Sequence, residues 1–324
     1  MEQLYPLKFK TIPKDKIWGG TRLHDMLGKE TSSDSCGETW ELSCVKGDVS
    51  EVADGPLKGQ SLKKLIQDYK GKILGDKVFA KYGDEFPLLV KFIDANRDLS
   101  VQVHPNEEQA KKYNSHGKTE LWYILHAEEG AHLISGFNKK VTKEEFCNHL
   151  EQGKIEDILN SEQVEAGDVY FMPAGRIHNV GGGMVIAEIQ QSSDITYRIY
   201  DFNRKDLNGE KRELHIEEAL EVLNFEPTLN GKTNYNSELN QLANLARCEH
   251  FTANNLKFDT SIIRDYSNLD SFIIYVCLGG EVVLSTENLK VTMKRGDVYL
   301  LPAVFKSVSL SPSTESLILE SYIE

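Results

Sequence analysis

Apolar and polar residues alternate with a period of two over several short segments of the chain. Leu99, Val101 and Val103 would point to one side of an extended strand, and Ser100, Gln102 and His104 to the other. Strand-like runs recur at residues 38–45, 120–126, 168–172 and 185–190, separated by Gly, Asn and Asp. This pattern predicts an all-β barrel or sandwich rather than a doubly wound sheet. Helical periodicity is confined to residues 61–69, 105–113, 142–159 and 215–222, the second of these opening on Pro105. Thr142 followed by Glu145 is a capping box and makes the third of them the best defined.

An internal repeat organises these segments. Gly167-Asp168-Val169-Tyr170-Phe171-Met172-Pro173-Ala174 returns as Gly296-Asp297-Val298-Tyr299-Leu300-Leu301-Pro302-Ala303, a shift of 296 − 167 = 129 positions. So wide a spacing signals two copies of a domain rather than a solenoid unit. Residues 230–244 are rich in Asn, Ser, Thr and Gly, as expected of a linker. The expected division is a metal-binding domain with inserted helices over residues 1–235 and a C-terminal domain over 236–324. The copies part where chemistry would lie: His178 of the first falls at Ser307 of the second, since 178 + 129 = 307. The second copy is therefore expected to lack metal ligands.

Composition narrows the classes of partner. A formal net charge of −13 over 324 residues disfavours nucleic acid, which requires a basic face. The five cysteines contain no C-x-x-C pair, which suggests reduced thiols and a cytoplasmic protein. The N-terminus has neither the basic start nor the apolar run of a secretory signal, and no segment approaches the ~20 apolar residues of a membrane span. The expected partner is a small molecule, with the protein a monomer or weak homo-oligomer.

Four residues form a candidate metal set. Gln102 and His104, two apart on a strand, share a face, and Glu120 begins a later strand. Gly167, Pro173, Gly175 and His178 describe a strand, a tight turn and a second strand that starts on histidine. Two imidazoles, a carboxylate and an amide oxygen suit a borderline divalent ion such as Zn2+, one per chain. His24, His126, His149 and His250 have no partner at ligand spacing, whereas His116 lies in the polar loop before Glu120. The strand, turn and histidine order resembles the cupin superfamily, which implies a mainly β protein of two cupin (jelly-roll β-barrel) domains with a few helices.

A longer set of motifs is more specific. Ile17-Trp18-Gly19-Gly20, Glu38-Thr39-Trp40-Glu41-Leu42, Pro87 to Ile93, Leu99 to Pro105, Gly117-Lys118-Thr119-Glu120 and His178-Asn179 occur in that order. Together they resemble type I mannose-6-phosphate isomerases over about residues 7–205. The resemblance implies that Gln102, His104, Glu120 and His178 are zinc ligands. It also carries Asp194 and Arg198, from Ser192-Ser193-Asp194-Ile195-Thr196-Tyr197-Arg198, into the active site. The chain departs from the larger family members after Arg198, reading Ile199-Tyr200-Asp201-Phe202-Asn203-Arg204, and has Gly117 where they carry histidine.

The implied reaction interconverts mannose 6-phosphate and fructose 6-phosphate through an enediolate. It requires an electrophile for the developing oxyanion, a proton carrier and cations for the phosphate. Lys91, Lys118 and Arg198 are the cations on the motif-bearing segments, and phosphate anchoring and proton transfer are divided among them. Trp18, Trp40 and Trp122 are either a sugar-stacking wall or core. Two other readings stand beside this one: another cupin metalloenzyme, a dioxygenase or sugar epimerase, and a non-enzymatic sugar-binding cupin.

Overall fold

The computed structural model describes residues 2–205, 209–287 and 289–324. Its strands pair antiparallel in four sheets. A front sheet runs Tyr197–Tyr200, Val101–Val103, His178–Val180, His132–Phe137, Leu159–Gln163. A central sheet runs Ile12–Gly20, Cys36–Leu42, Leu88–Ala95, Met184–Gln191, Glu120–Ala127, Val169–Met172. A third contains Leu7–Lys8, Val298–Leu301, Ile273–Gly279, Ser316–Tyr322, Thr252–Phe258 and Gln241–Arg247. The fourth is formed by Ile262–Asp265, Ser307–Pro312, Glu281–Ser285 and Lys290–Lys294.

Period-two alternation explains the stacking. In the central sheet Val90, Phe92, Leu121, Tyr123, Ala187 and Ile189 pack with Ile274, Val276, Leu300 and Leu319 of the third sheet. Their neighbours Ile93, Trp122, Ile124 and Ile186 point the other way, onto Leu133 and Val180 of the front sheet. Both faces are thus covered, which is why Leu88–Ala95 is buried along its whole length. Each fully buried Leu, Ile or Phe contributes about 1.5–3 kcal/mol. A junction built from so many of them holds the two sheet pairs as one body rather than as loosely docked domains. The N-terminal strand Leu7–Lys8 reinforces this by pairing with Leu300 and Tyr299.

The repeated octapeptide is a turn motif. Gly167 and Gly296 adopt φ of 95° and 91°, the left-handed region that glycine tolerates. The following aspartate accepts from the backbone N–H three residues back in both copies, Glu165 to Asp168 at 3.0 Å and Lys294 to Asp297 at 2.8 Å. The repeat therefore encodes the entry to Val169–Met172 and to Val298–Leu301, not a site.

Several local expectations change. The capping box at Thr142 and Glu145 is present, but the helix is Lys143–Glu151, followed by a 3-10 turn Ile155–Ile158 and then a strand. The helix at 105–113 starts later, with Asn106 as cap, and tightens to 3-10 geometry at Lys111–Tyr113. Leu99 joins the cluster inside the first barrel while Val101 and Val103 face the opposite way, because the strand begins only at Val101. Helices Arg22–Leu27, Gly71–Leu74 and Asp76–Tyr82 were not evident from periodicity, each being two turns or fewer. Within residues 230–244, Tyr235 donates its hydroxyl to the Gly167 carbonyl at 2.7 Å, tying that segment to the first repeat.

Candidate active site

The front and central sheets face each other across a polar interior. In the front sheet Arg198 stands opposite Gln102, and Gln102 opposite His178. The central sheet contributes Glu120, which stands opposite Met172 and Gln190. His104 follows the strand end, its carbonyl accepting from Gly175 N–H at 2.9 Å, so the Pro/Gly turn before His178 also fixes His104.

One ligand atom from each of His104, Glu120 and His178 lies within 4.8 Å of the others, and all three residues are buried. His104 Nε2 is 3.3 Å from Glu120 Oε1, and His178 Nε2 is 3.8 Å from Glu120 Oε2. His178 Nδ1 lies 2.9 Å from the Arg176 carbonyl, which fixes its proton there and leaves the lone pair on Nε2. Gln102 Nε2 is 3.3 Å from that same Nε2. Neither ring nitrogen of His104 has a hydrogen-bond partner. A buried imidazole without partners, beside a carboxylate, fits a cation among these side chains.

Electrostatics prepare the same set. Burial, assisted by Lys118, pushes His104 down to about 3, and burial also lowers His178, so both rings are neutral donors of lone pairs. Burial alone would raise the Glu120 carboxyl, but Lys118 at 3.3 Å, assisted by the adjoining His104 and His178, holds the group well below its usual range.

A cavity of about 110 Å3 opens beside these residues, lined by Lys91, Lys118, Arg198, Gln102 and Glu120. It adjoins a second, of about 250 Å3, that shares Lys91 and Lys118 and is bordered by Asp194. Lys91 Nζ lies 2.6 Å from Glu188 Oε2, and burial lowers it to about 8. Glu38 is driven to about 2 because Lys91 and Lys16 outweigh its own desolvation. Trp40 donates to Glu38 at 2.7 Å, and Trp122 to Glu188 at 2.6 Å.

The four candidate ligands, Lys91, Lys118 and Arg198 are thus brought together, while Asp194 lies exposed on the rim. Trp18 and Trp122 line the inner cavity and Trp40 the outer one. His116 is held outside between Glu107 at 2.8 Å and Glu85 at 3.1 Å. Arg204 binds Asp201 and the Asp98 carbonyl.

Sequence reasoning missed Lys16, Glu38, Glu188 and Arg212 as wall residues. Glu188 and Gln190 did carry a signal, alternating with Val185, Ala187 and Ile189. Arg212 had none, since it stands in a polar loop beside Lys211.

The second barrel repeats the geometry without the site. Glu320 stands opposite Tyr275 there, and Tyr275 opposite Tyr299, as Glu188 stands opposite Trp122 and Trp122 opposite Tyr170. Glu320, however, is closed off by Arg264 at 2.9 Å and by the Tyr266 hydroxyl. Among the described residues, His104, Glu120 and His178 are the one group able to hold a metal.

Residues 6–119 match the family described as phosphomannose isomerase type I, catalytic domain. The chain is 35% identical over 302 residues to mannose-6-phosphate isomerase ManA of Bacillus subtilis, covering 92% of this chain and 93% of that protein. It is also 35% identical over 304 residues to the mannose-6-phosphate isomerase of Streptococcus mutans, covering 93% and 94%. The crystal structure of mannose 6-phosphate isomerase from Bacillus subtilis superposes with a TM-score of 0.89 at 31% identity, over 99% of this chain and 100% of that one. Identity sustained across both barrels, together with the shared fold, shows that the chain belongs to the type I phosphomannose isomerase family of enzymes.

Proposed function

We propose that this enzyme interconverts mannose 6-phosphate and fructose 6-phosphate through an enediolate, with one Zn2+ held by Gln102, His104, Glu120 and His178. The observation that carries the metal assignment is the buried His104 ring, without hydrogen-bond partners and 3.3 Å from Glu120. When bound, the ion supplies a Lewis acid toward the oxygens on which negative charge develops. Rotation of the Gln102 amide would present Oε1 rather than Nε2 to the ligand set.

The surrounding side chains divide the remaining work. Lys91, whose charged form is disfavoured by burial, exchanges the proton between the two reacting carbons, with Glu188 at 2.6 Å as its partner. Lys118 keeps Glu120 ionised and faces the developing oxyanion. Asp194 and Arg198 complete the substrate contacts, Asp194 from the rim. Burial of the cavity wall by Trp18 and Trp122 excludes water from the reacting end.

Among the described residues no helix is long and apolar enough to cross a membrane. The five free cysteines suit a reducing compartment. We place the enzyme in the cytoplasm as a monomer or weak homo-oligomer acting on a small sugar phosphate.

A coupled isomerase assay on mannose 6-phosphate, with and without a chelator, tests the reading, together with metal analysis of the purified protein. Turnover that is lost on chelation and restored by Zn2+ is expected. Iron with oxygen uptake would favour the dioxygenase alternative, and sugar-phosphate binding without turnover would favour a binding protein.

A further inference from the structure

The chain leaves the front sheet after Val103 and enters the central sheet at Glu120. Between the candidate ligands His104 and Glu120 it forms a short helix, Glu107–Ala110, a 3-10 turn, Lys111–Tyr113, and then a stretch without regular structure that carries Lys118. Pairing with Met184–Gln191 begins only at Glu120, opposite Gln190. Lys118 is nevertheless buried, 3.3 Å from Glu120. The ammonium of a lysine stands at the end of a flexible four-carbon stem, so its place depends on how firmly the backbone at its base is held.

The bonds that hold this backbone converge on one carboxylate. Glu107 Oε2 accepts from the Gly117 backbone N–H at 2.9 Å and from Gln191 Nε2 at 2.8 Å, and Glu107 Oε1 lies 2.8 Å from His116 Nδ1. Gln191 extends the constraint: its Oε1 accepts from the Thr119 N–H at 3.0 Å, and its own N–H donates to the Thr119 carbonyl at 3.1 Å. The residues on either side of Lys118 are therefore both tied to Glu107, Gly117 directly and Thr119 through Gln191. Lys118 N–H itself donates to the carbonyl of Pro105, at 3.0 Å. A Cβ at Gly117 would stand 2.5 Å from the Glu107 nitrogen, so the close approach of the two segments requires glycine there. His116 Nε2 lies 3.1 Å from Glu85, which links the same cluster to the segment leading into Leu88–Ala95, the strand of Lys91.

We propose that Glu107 is a positioning residue for Lys118: it lies outside the reacting centre and, through Gly117 and Gln191, sets where the lysine enters the cavity. The inference rests on the reading that Lys118 faces the developing oxyanion, and goes beyond it by naming what aims the lysine there. Residues 116–119 are fixed before substrate arrives, so less conformational freedom remains to be lost as the transition state forms.

In the zinc-loaded, full-length enzyme, Glu107→Ala should lower kcat for mannose 6-phosphate about tenfold to a hundredfold, the effect of a misplacement near 1 Å, while KM changes less than about threefold. Zinc should stay at one ion per chain. Glu107→Gln keeps an oxygen that accepts from Gly117 and Gln191, and should recover most of the loss. Glu108→Ala, which removes the neighbouring exposed acid, should leave kcat unchanged. Should Glu107→Ala fail to fold, Gln191→Met breaks the same line at its second link and should lower kcat more than it changes KM. Native kcat in Glu107→Ala or in Gln191→Met would overturn the assignment. So would a Glu107→Gln variant as slow as Glu107→Ala, or a loss of rate that follows loss of zinc. Failure of the functional reading looks different: a native enzyme without isomerase activity, or a fully active Lys118→Met variant, would remove that reading and this inference with it.

Discussion

Trp122 donates its indole N–H to Glu188 Oε1 at 2.6 Å, and its ring meets that of His178 edge-on with centroids 5.3 Å apart. One buried side chain thus touches both a candidate metal ligand and the acid partner of Lys91. Trp122→Phe keeps much of the apolar bulk and removes the donor. Leaving Glu188 short of a partner should cost about 1–3 kcal/mol of stability, measured by urea unfolding, and lower kcat more than it changes KM. A variant with native stability and kcat would show that the indole N–H has no role.

Glu120→Gln removes the carboxylate at the centre of the ligand set. Zinc content should drop well below one ion per chain, and turnover should fall by at least about a hundredfold, while the two imidazoles remain. Stoichiometric zinc and full isomerase activity in this variant would disprove the ligand assignment.

Lys91 sets a pH dependence. Burial lowers it to about 8, and as a base it must be neutral before it accepts a proton. The rate should therefore climb with rising pH through about 8 and level off above it. Lys91→Arg, which stays charged, should be nearly inactive and show no such rise. A native profile that is flat across this range excludes Lys91 as the base.

Lys29 joins the two barrels. Its Nζ lies 2.7 Å from Glu41 and donates to the Gly296 carbonyl at 2.6 Å, with both charged side chains buried. Lys29→Met would leave Glu41 buried without its counterion and should cost about 3–5 kcal/mol in denaturant unfolding. Lys29→Met with Glu41→Leu should recover most of that loss. If the single substitution proves neutral, the ion pair does not hold the barrels together.

Much of the candidate site could be read from the chain because its chemistry sits on period-two strands. Gln102 and His104 share a face, and Val101 and Val103 the other, by the geometry of an extended backbone alone. The resemblance then added Asp194 and Arg198, whose neighbouring residues carry no chemical signature of their own. Glu188 was legible in principle, since it alternates with Ala187 and Ile189 on a strand-like run. Lys16 and Arg212 were not legible, because a lone cation in a polar segment is ordinarily a solvated one.

From composition and pattern alone the chain determined a β-rich protein with a repeated turn and a second copy lacking the His178 equivalent, and the family resemblance added the four residues expected to share an ion. The β-rich pattern and the repeated turn follow from local rules, the alternation of side chains and the backbone demands of Gly167 and Gly296. Only the tertiary structure decided that Leu7–Lys8 pairs with the C-terminal barrel, and that Glu188 faces Lys91 while its counterpart Glu320 faces Arg264. It also decided that Asp201 draws Arg204 and Arg212 together. These relationships join residues far apart in sequence, or lying in loops, through strand register and side-chain reach, and local periodicity carries no information about either.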